Sequence, residues 1–187
     1  TLFYDPMIAK LIAHGKTRIE ALDRLASALD KTVVVGPRSN AGFLAALCRA
    51  PEFRAGNFDT GFIDRHLDEL GATPQGLDRA AAAAGAQKLV ERERARIANA
   101  FEAEPDQPTS PWDAGDAFQL AGARRLALPV LAEGESIVAQ VTYSADGPIV
   151  AIDGVAPAAD AVAVAAGEAV YVLRHGRQTK VALRDLS

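Results

Sequence analysis

The sequence predicts an α+β fold in two parts: a small α+β unit over residues 1–70, then, over 71–187, a long helix wrapped by an antiparallel β-barrel. Three observations carry this. Capped helical patterns alternate with short apolar runs as far as Leu70. From Pro74 to Glu102 only Gly76 and Gly85 interrupt a helical pattern. After residue 115 the hydrophobic period changes from helix to strand, with turn signals at short intervals.

The elements follow in chain order. Thr1 opens directly on a strand-like pattern, which predicts a start inside a domain. Met7 to Ala13 is apolar except for Lys10 and reads as a buried strand. Thr17-x-x-Glu20 is a capping box, after which Ile19, Leu22, Leu25, Ala26 and Leu29 fall on one helical face. Thr32 to Val35 is a short β-branched strand stopped by Gly36-Pro37. Asn40 caps a helix whose buried face is Phe43, Leu44, Leu47 and Cys48. Pro51 to Ala55 is a helical turn closed by Gly56. A last helix runs from Thr60 to Leu70, with Gly71 as its C-terminal cap.

Thr73-Pro74 then supplies a cap and a first-turn proline for a helix over 74–102, about 43 Å long at 1.5 Å per residue. Its first half holds the run Ala80 to Ala84 and its second half is charged, Glu91 to Arg96. Ala86, Val90, Glu93, Ile97 and Phe101 share one face. Such a helix is either a solvated spacer or one whose small residues let other structure wrap closely around it. In the second case the charges must emerge beyond the end of the barrel. A proline-rich, acidic loop spans 103–115. Beyond it Leu126, Leu128 and Val130 alternate, as do Ile137, Ala139, Val141 and Tyr143. Turn signals at Glu133-Gly134, Asp146-Gly147-Pro148, Asp153-Gly154, Ala166-Gly167 and His175-Gly176 divide an antiparallel meander.

Composition narrows the function. The 187 residues are 49% hydrophobic and 24% charged, with a net charge of −4 and roughly a fifth alanine. No basic stripe points to nucleic acid or an anionic membrane, and no apolar run approaches the ~18 residues of a membrane span. Cys48 is the single cysteine, which excludes an internal disulfide and a cysteine-rich zinc site and points to a reducing compartment. The alanine-rich, arginine-using composition fits a bacterium, hence a cytoplasmic location. No GxxxxGK[ST] or GxGxxG pattern is present to cradle phosphate.

Two stretches carry a resemblance. YDPMIAKLIAHG (residues 4–15) followed by GPRSNAGFLAALCRAPEFRAGNFDTGFID (36–64) resembles the last stretch of the biotin carboxylase domain of acyl-CoA carboxylases. The second half, closing on DGVAPAADAVAVAAGEAVYVLRHGRQTKVAL, resembles the domain that links biotin carboxylase to carboxyltransferase in the α subunits of methylcrotonyl-CoA and propionyl-CoA carboxylases. The resemblance implies a central helix inside a barrel and a hook-like loop, here Ala103 to Gly115, gripping the carboxyltransferase β subunit. It also implies an ATP-driven carboxylation of biotin, then carboxyl transfer to an acyl-CoA, with 3-methylcrotonyl-CoA preferred and propionyl-, acetyl- or geranyl-CoA as alternatives. Biotin, ATP and Mg belong to the parent enzyme, a ligase. None is expected on this segment, because the ATP-grasp part and the methionine-flanked biotinyl lysine find no counterpart in it. The expected partners are the carboxyltransferase β subunit, the ATP-grasp part and the biotin carrier.

No residue is assigned to catalysis, a cofactor or a metal. Asp5 and Lys10 invite an active-site reading, but Asp5-Pro6 reads more readily as a strand-entry turn and Lys10 as a snorkelling edge residue. His14 and His175 each precede a glycine and His66 sits among acids, so the three do not form a ligand cluster. The 91–96 charges read as a docking surface or, more commonly, a solvated face. Cys48 reads as core. The candidate partner contacts are Pro108, Ser110, Pro111, Trp112 and Asp113. Trp112 is either an interface anchor or a plug at the barrel's end, in equal measure. A reading from another class is a stand-alone barrel for a small ligand, which requires an apolar interior cavity.

Overall fold

The structure is a computed structural model that describes residues 7–72, 76–102, 124–144 and 146–184. The backbone divides into two compact units, residues 1–76 with 175–177 and residues 77–174 with 178–187.

The first unit is built on four helices: α1 (Arg18–Lys31), α2 (Ala41–Arg49), α3 (Pro51–Ala55) and α4 (Phe62–Arg65). The capping box at α1 forms as the sequence predicts. Thr17 Oγ1 accepts from the Glu20 amide at 3.2 Å, and Glu20 reaches back to the Lys16 amide at 2.7 Å. Leu22, Ala26 and Leu29 pack against Ala45 and Cys48 of α2, with Leu25, Leu44 and Phe53 around them. The buried face of α2 is therefore Ala45 and Cys48; Phe43, Leu44 and Leu47 are only half-buried. Asn40 stands at the N-cap position without a side-chain capping bond. Gly56 closes α3 at φ +83°, as expected.

Three expectations for this unit are corrected. The last helix does not run from Thr60 to Leu70: α4 covers only Phe62–Arg65, and turns carry the chain to Gly71, which does adopt the left-handed conformation at φ +70°. Asp59, not Thr60, organises its start by accepting from the Gly61 amide. The segment Met7 to Ala13 is neither a strand nor buried, and Ile12 is 83% exposed. Residues 32–35 are likewise not a strand. A strand exists only through a neighbour that takes its amides and carbonyls, and among the described residues of this unit there is none.

The second unit opens with α5 (Arg79–Glu102), 24 residues or about 36 Å. The helix expected over 74–102 is shorter: Thr73 to Gln75 lie outside the described residues, and 76–78 are not helical. Asp78 is the effective cap, its Oδ1 accepting from the Ala81 amide at 3.0 Å and its carbonyl from Ala82 at 2.9 Å.

Six strands follow: β1 (Arg125–Ala132), β2 (Glu135–Ser144), β3 (Gly147–Ile152), β4 (Val162–Ala166), β5 (Ala169–Arg174) and β6 (Arg177–Leu183). They form one sheet in the order β3-β2-β1-β6-β5-β4, with antiparallel registers such as Val130↔Ile137, Val141↔Val150 and Ala163↔Val172. The hairpin turns expected from sequence are present, and Glu133 and His175 take positive φ just before Gly134 and Gly176, the backbone of a type I′ turn. Among the described residues the sheet is open between β3 and β4, so the closed barrel over 116–187 is corrected to a curled half-barrel. The curl is forced: α5 packs on β3 at one end of the sheet and on β4 and β5 at the other.

The core lies between helix and sheet. Ala81, Ala82, Ala83, Ala86, Leu89 and Val90 face Val130, Ala132, Ala139, Val141, Val150, Ile152, Val170, Val172 and Val181. Alanine on the helix and β-branched residues on the sheet interdigitate because a small side chain lets the helix backbone come close. The approach is close at Gly85, where an added Cβ would stand 2.5 Å from Val181 Cγ2.

Candidate functional site

The first unit's most organised surface is built by the segment that carries the sequence resemblance. Phe53, Phe58 and Phe62 form an aromatic cluster with ring centroids 4.7 to 6.5 Å apart, and His66 stacks on Phe62 at 4.4 Å. The Arg18 guanidinium lies 5.0 Å from the Phe53 ring centroid and donates to the Phe53 carbonyl at 2.8 Å. Arg65 donates to Asp59 at 2.9 Å, and this bond first of all holds the Asp59 carboxyl below its ordinary range. Phe53, Phe58, Asp59 and Phe62 of the motif are thus occupied in fixing the loop between α3 and α4, a structural use of these four residues.

In the second unit Arg174 joins two acids. It donates to Asp78 at 3.0 and 3.3 Å and to Asp160 at 2.8 Å, while Ala158 donates to the Ala80 carbonyl. The link from β3 to β4 is thereby tied to the first turn of α5. Burial pushes the Asp78 carboxyl up, but the Ala81 amide and Arg174 together outweigh it, so the group titrates below its ordinary range.

The remaining sequence candidates sort as follows. Pro108, Ser110, Pro111, Trp112 and Asp113 lie outside the described residues, as does Asp5. Lys10 is exposed in a segment that is neither helix nor strand. His66 stacks on Phe62, with its Nδ1 2.9 Å from the Phe62 carbonyl. The structure does not bring the three histidines together, and among the described residues no cluster of three His, Cys, Asp or Glu can hold a metal. Cys48 is buried, and burial raises its thiol pKa against the lowering pull of Arg49 and Arg54, which disfavours the nucleophilic thiolate. Of the charges in 91–96, Glu91, Arg94 and Arg96 are exposed, and Arg92 and Glu93 are half-buried. Arg92 donates to the Gly167 carbonyl at 2.7 Å, and Arg96 pairs with Glu93. Among the described residues no helix is long and apolar enough to cross a membrane. Among the described residues the side chains of α5 and of the sheet pack into one core, where the ligand-barrel reading calls for an apolar cavity.

Sequence reasoning missed Asp78, Arg174 and Gln87. An acid just before an apolar helical run is a legible cap signal for Asp78, masked by the stronger Thr73-Pro74 pattern. Nothing local marks the other two, whose partners are distant in sequence.

Known proteins resemble parts of this chain. Residues 1–65 match the family described as Biotin carboxylase C-terminal domain. The homologues are biotin carboxylases and carboxylase subunits. Methylcrotonoyl-CoA carboxylase subunit alpha, mitochondrial, of Mus musculus is 35% identical over 153 residues, 79% of this chain and 20% of that protein. The Dictyostelium discoideum protein of the same name is 33% identical over 120 residues, 64% of this chain and 16% of its own. Biotin carboxylase of Halalkalibacterium halodurans is 43% identical over 67 residues, 36% of this chain and 15% of that protein. The chain thus spans about a fifth or less of the length of these relatives.

Proposed function

We propose that this chain is a segment of the α subunit of a biotin-dependent acyl-CoA carboxylase of the 3-methylcrotonyl-CoA type. In this reading residues 1–70 are the C-terminal part of the biotin carboxylase domain, and 71–187 hold that domain to the carboxyltransferase β subunit. One observation supports it above the rest. Likeness to the bacterial biotin carboxylase covers 67 residues, whereas likeness to the mouse α subunit runs over 153 and so reaches well into the helix-and-sheet unit. The parent enzyme, with biotin, ATP and Mg, carboxylates biotin and passes the carboxyl group to an acyl-CoA. This segment contributes contacts to that process. The exposed Ile8, Leu11, Ile12, Val33 and Val35 favour cover from the remainder of the α subunit. The hook is 103–115, with Trp112 as the anchor beside Pro108, Ser110, Pro111 and Asp113. A reducing bacterial cytoplasm is the proposed setting.

The test is co-purification with carboxyltransferase β subunits of the methylcrotonyl, propionyl, acetyl and geranyl types. Selective retention by the methylcrotonyl type, lost in a folded Trp112→Ala variant, is the expected outcome. Retention by another type reassigns the substrate. Retention unaffected by Trp112→Ala moves the contact away from the loop, and binding to none removes the linking role.

A further inference from the structure

We propose that Gln87 is an edge lock: one side-chain amide of α5 pairs with the outer edge of β3 and closes it to strand addition by another polypeptide. An edge strand presents a row of donors and acceptors on which a further strand can build. On β3 those groups face away from β2 at Pro148, Val150 and Ile152. The Val150 amide donates to Gln87 Oε1 at 3.0 Å, and Gln87 Nε2 donates to the Pro148 carbonyl at 3.0 Å. The pairing therefore joins residues two apart on β3, the pattern with which one residue of a neighbouring parallel strand would engage them. The Ile152 amide donates to the Val155 carbonyl at 3.0 Å, and proline has no amide to offer. The edge donors are thus all occupied or missing.

The orientation of the Gln87 amide is set from the far side, where Nε2 also donates to Glu91 Oε1 at 3.1 Å. Nitrogen therefore faces the two oxygens and oxygen faces the Val150 amide. Asn is too short to reach, and Glu offers an acceptor to Val150 but no donor to Pro148. Because the lock sits in the buried half of α5, it also ties the helix to one position along β3. A partner that binds this unit by strand addition has to use another edge, and two copies cannot join through β3.

The experiment uses the full chain with Gln87→Leu and Gln87→Glu, reading amide hydrogen exchange by NMR and species distribution by sedimentation velocity. In Gln87→Leu the Val150 amide exchanges about tenfold faster or more while the Val141 amide is unchanged, and a larger species absent from wild type grows with concentration. In Gln87→Glu the retained acceptor keeps Val150 protected within about threefold of wild type. Val150 protection unchanged in folded Gln87→Leu overturns the proposal, as does no larger species in either variant. Should Gln87→Leu not fold, loss of Val150 protection in Gln87→Glu overturns it.

Discussion

The two units put their apolar residues to different ends. In the second, most inward positions of the sheet between Val130 and Val181 are buried against the alanine and leucine face of α5, with Ile137, Tyr143 and Ala163 partly buried beside them. In the first, α1 and α2 share a small core, while Met7, Ile8, Leu11 and Ile12 stand exposed outside any helix or strand. The difference teaches where self-sufficiency comes from. A helix satisfies its own backbone, so α1 and α2 form from local signals alone. A strand does not, so the apolar runs at 7–13 and 32–35 form no strand, while those of the second unit find partners within it.

The sharpest test of that contrast is core truncation. Leu89→Ala should cost about 4 kcal/mol in urea unfolding, because Leu89 is fully enclosed between helix and sheet. Leu29→Ala in the first unit should cost about 2 kcal/mol, its surroundings being freer to collapse. Equal costs would mean that the two cores are equally closed. Next in size, Gly85→Val should lose about 3 kcal/mol, since the new side chain overlaps Val181 and Val172. A neutral result would show that the sheet can retreat from the helix.

Asp78→Asn keeps an oxygen for the Ala81 amide but removes the charge facing Arg174, for an expected loss of about 1–2 kcal/mol at neutral pH. The sign in pH follows from linkage. The folded-state pKa of Asp78 lies below its unfolded value, so its contribution is complete above about pH 4, the unfolded range for aspartate. It disappears as pH falls through the lower, folded value. Wild type and Asp78→Asn should therefore converge in stability in acid, and a gap that persists there would assign the effect to packing. The smallest expected effect is at Ile12, where Ile12→Asn should leave the stability of this chain within about 0.5 kcal/mol. A loss above 1 kcal/mol would mean that residues 7–13 are packed after all.

Much of this architecture was legible. The capping box at Thr17, the turn at Gly56, the left-handed Gly71 and the hairpin turns at Glu133-Gly134 and His175-Gly176 all depend on residues a few positions apart, and they form where the sequence placed them. The strand alternation is present in β2, where Ala139 and Val141 are buried, whereas in β1 Leu126 is exposed and Val130 buried. The partner-contact loop was legible only as a composition, and its residues lie outside those described here. What misled was treating an apolar run as sufficient for a strand, and Thr73-Pro74 as sufficient for a helix start.

By itself the sequence determined the local features: caps, turns, the change of period after the acidic loop and the two-part order of the chain. Their information sits within one turn of helix or one hairpin, a range over which backbone sterics and side-chain capping act directly. Only the tertiary structure decided that Asp78 begins α5, that Gln87 meets Val150, that Arg174 ties two acids, and that among the described residues the sheet curls without closing. Those contacts join residues tens of positions apart. They depend on which surfaces remain to be covered once the local elements have formed.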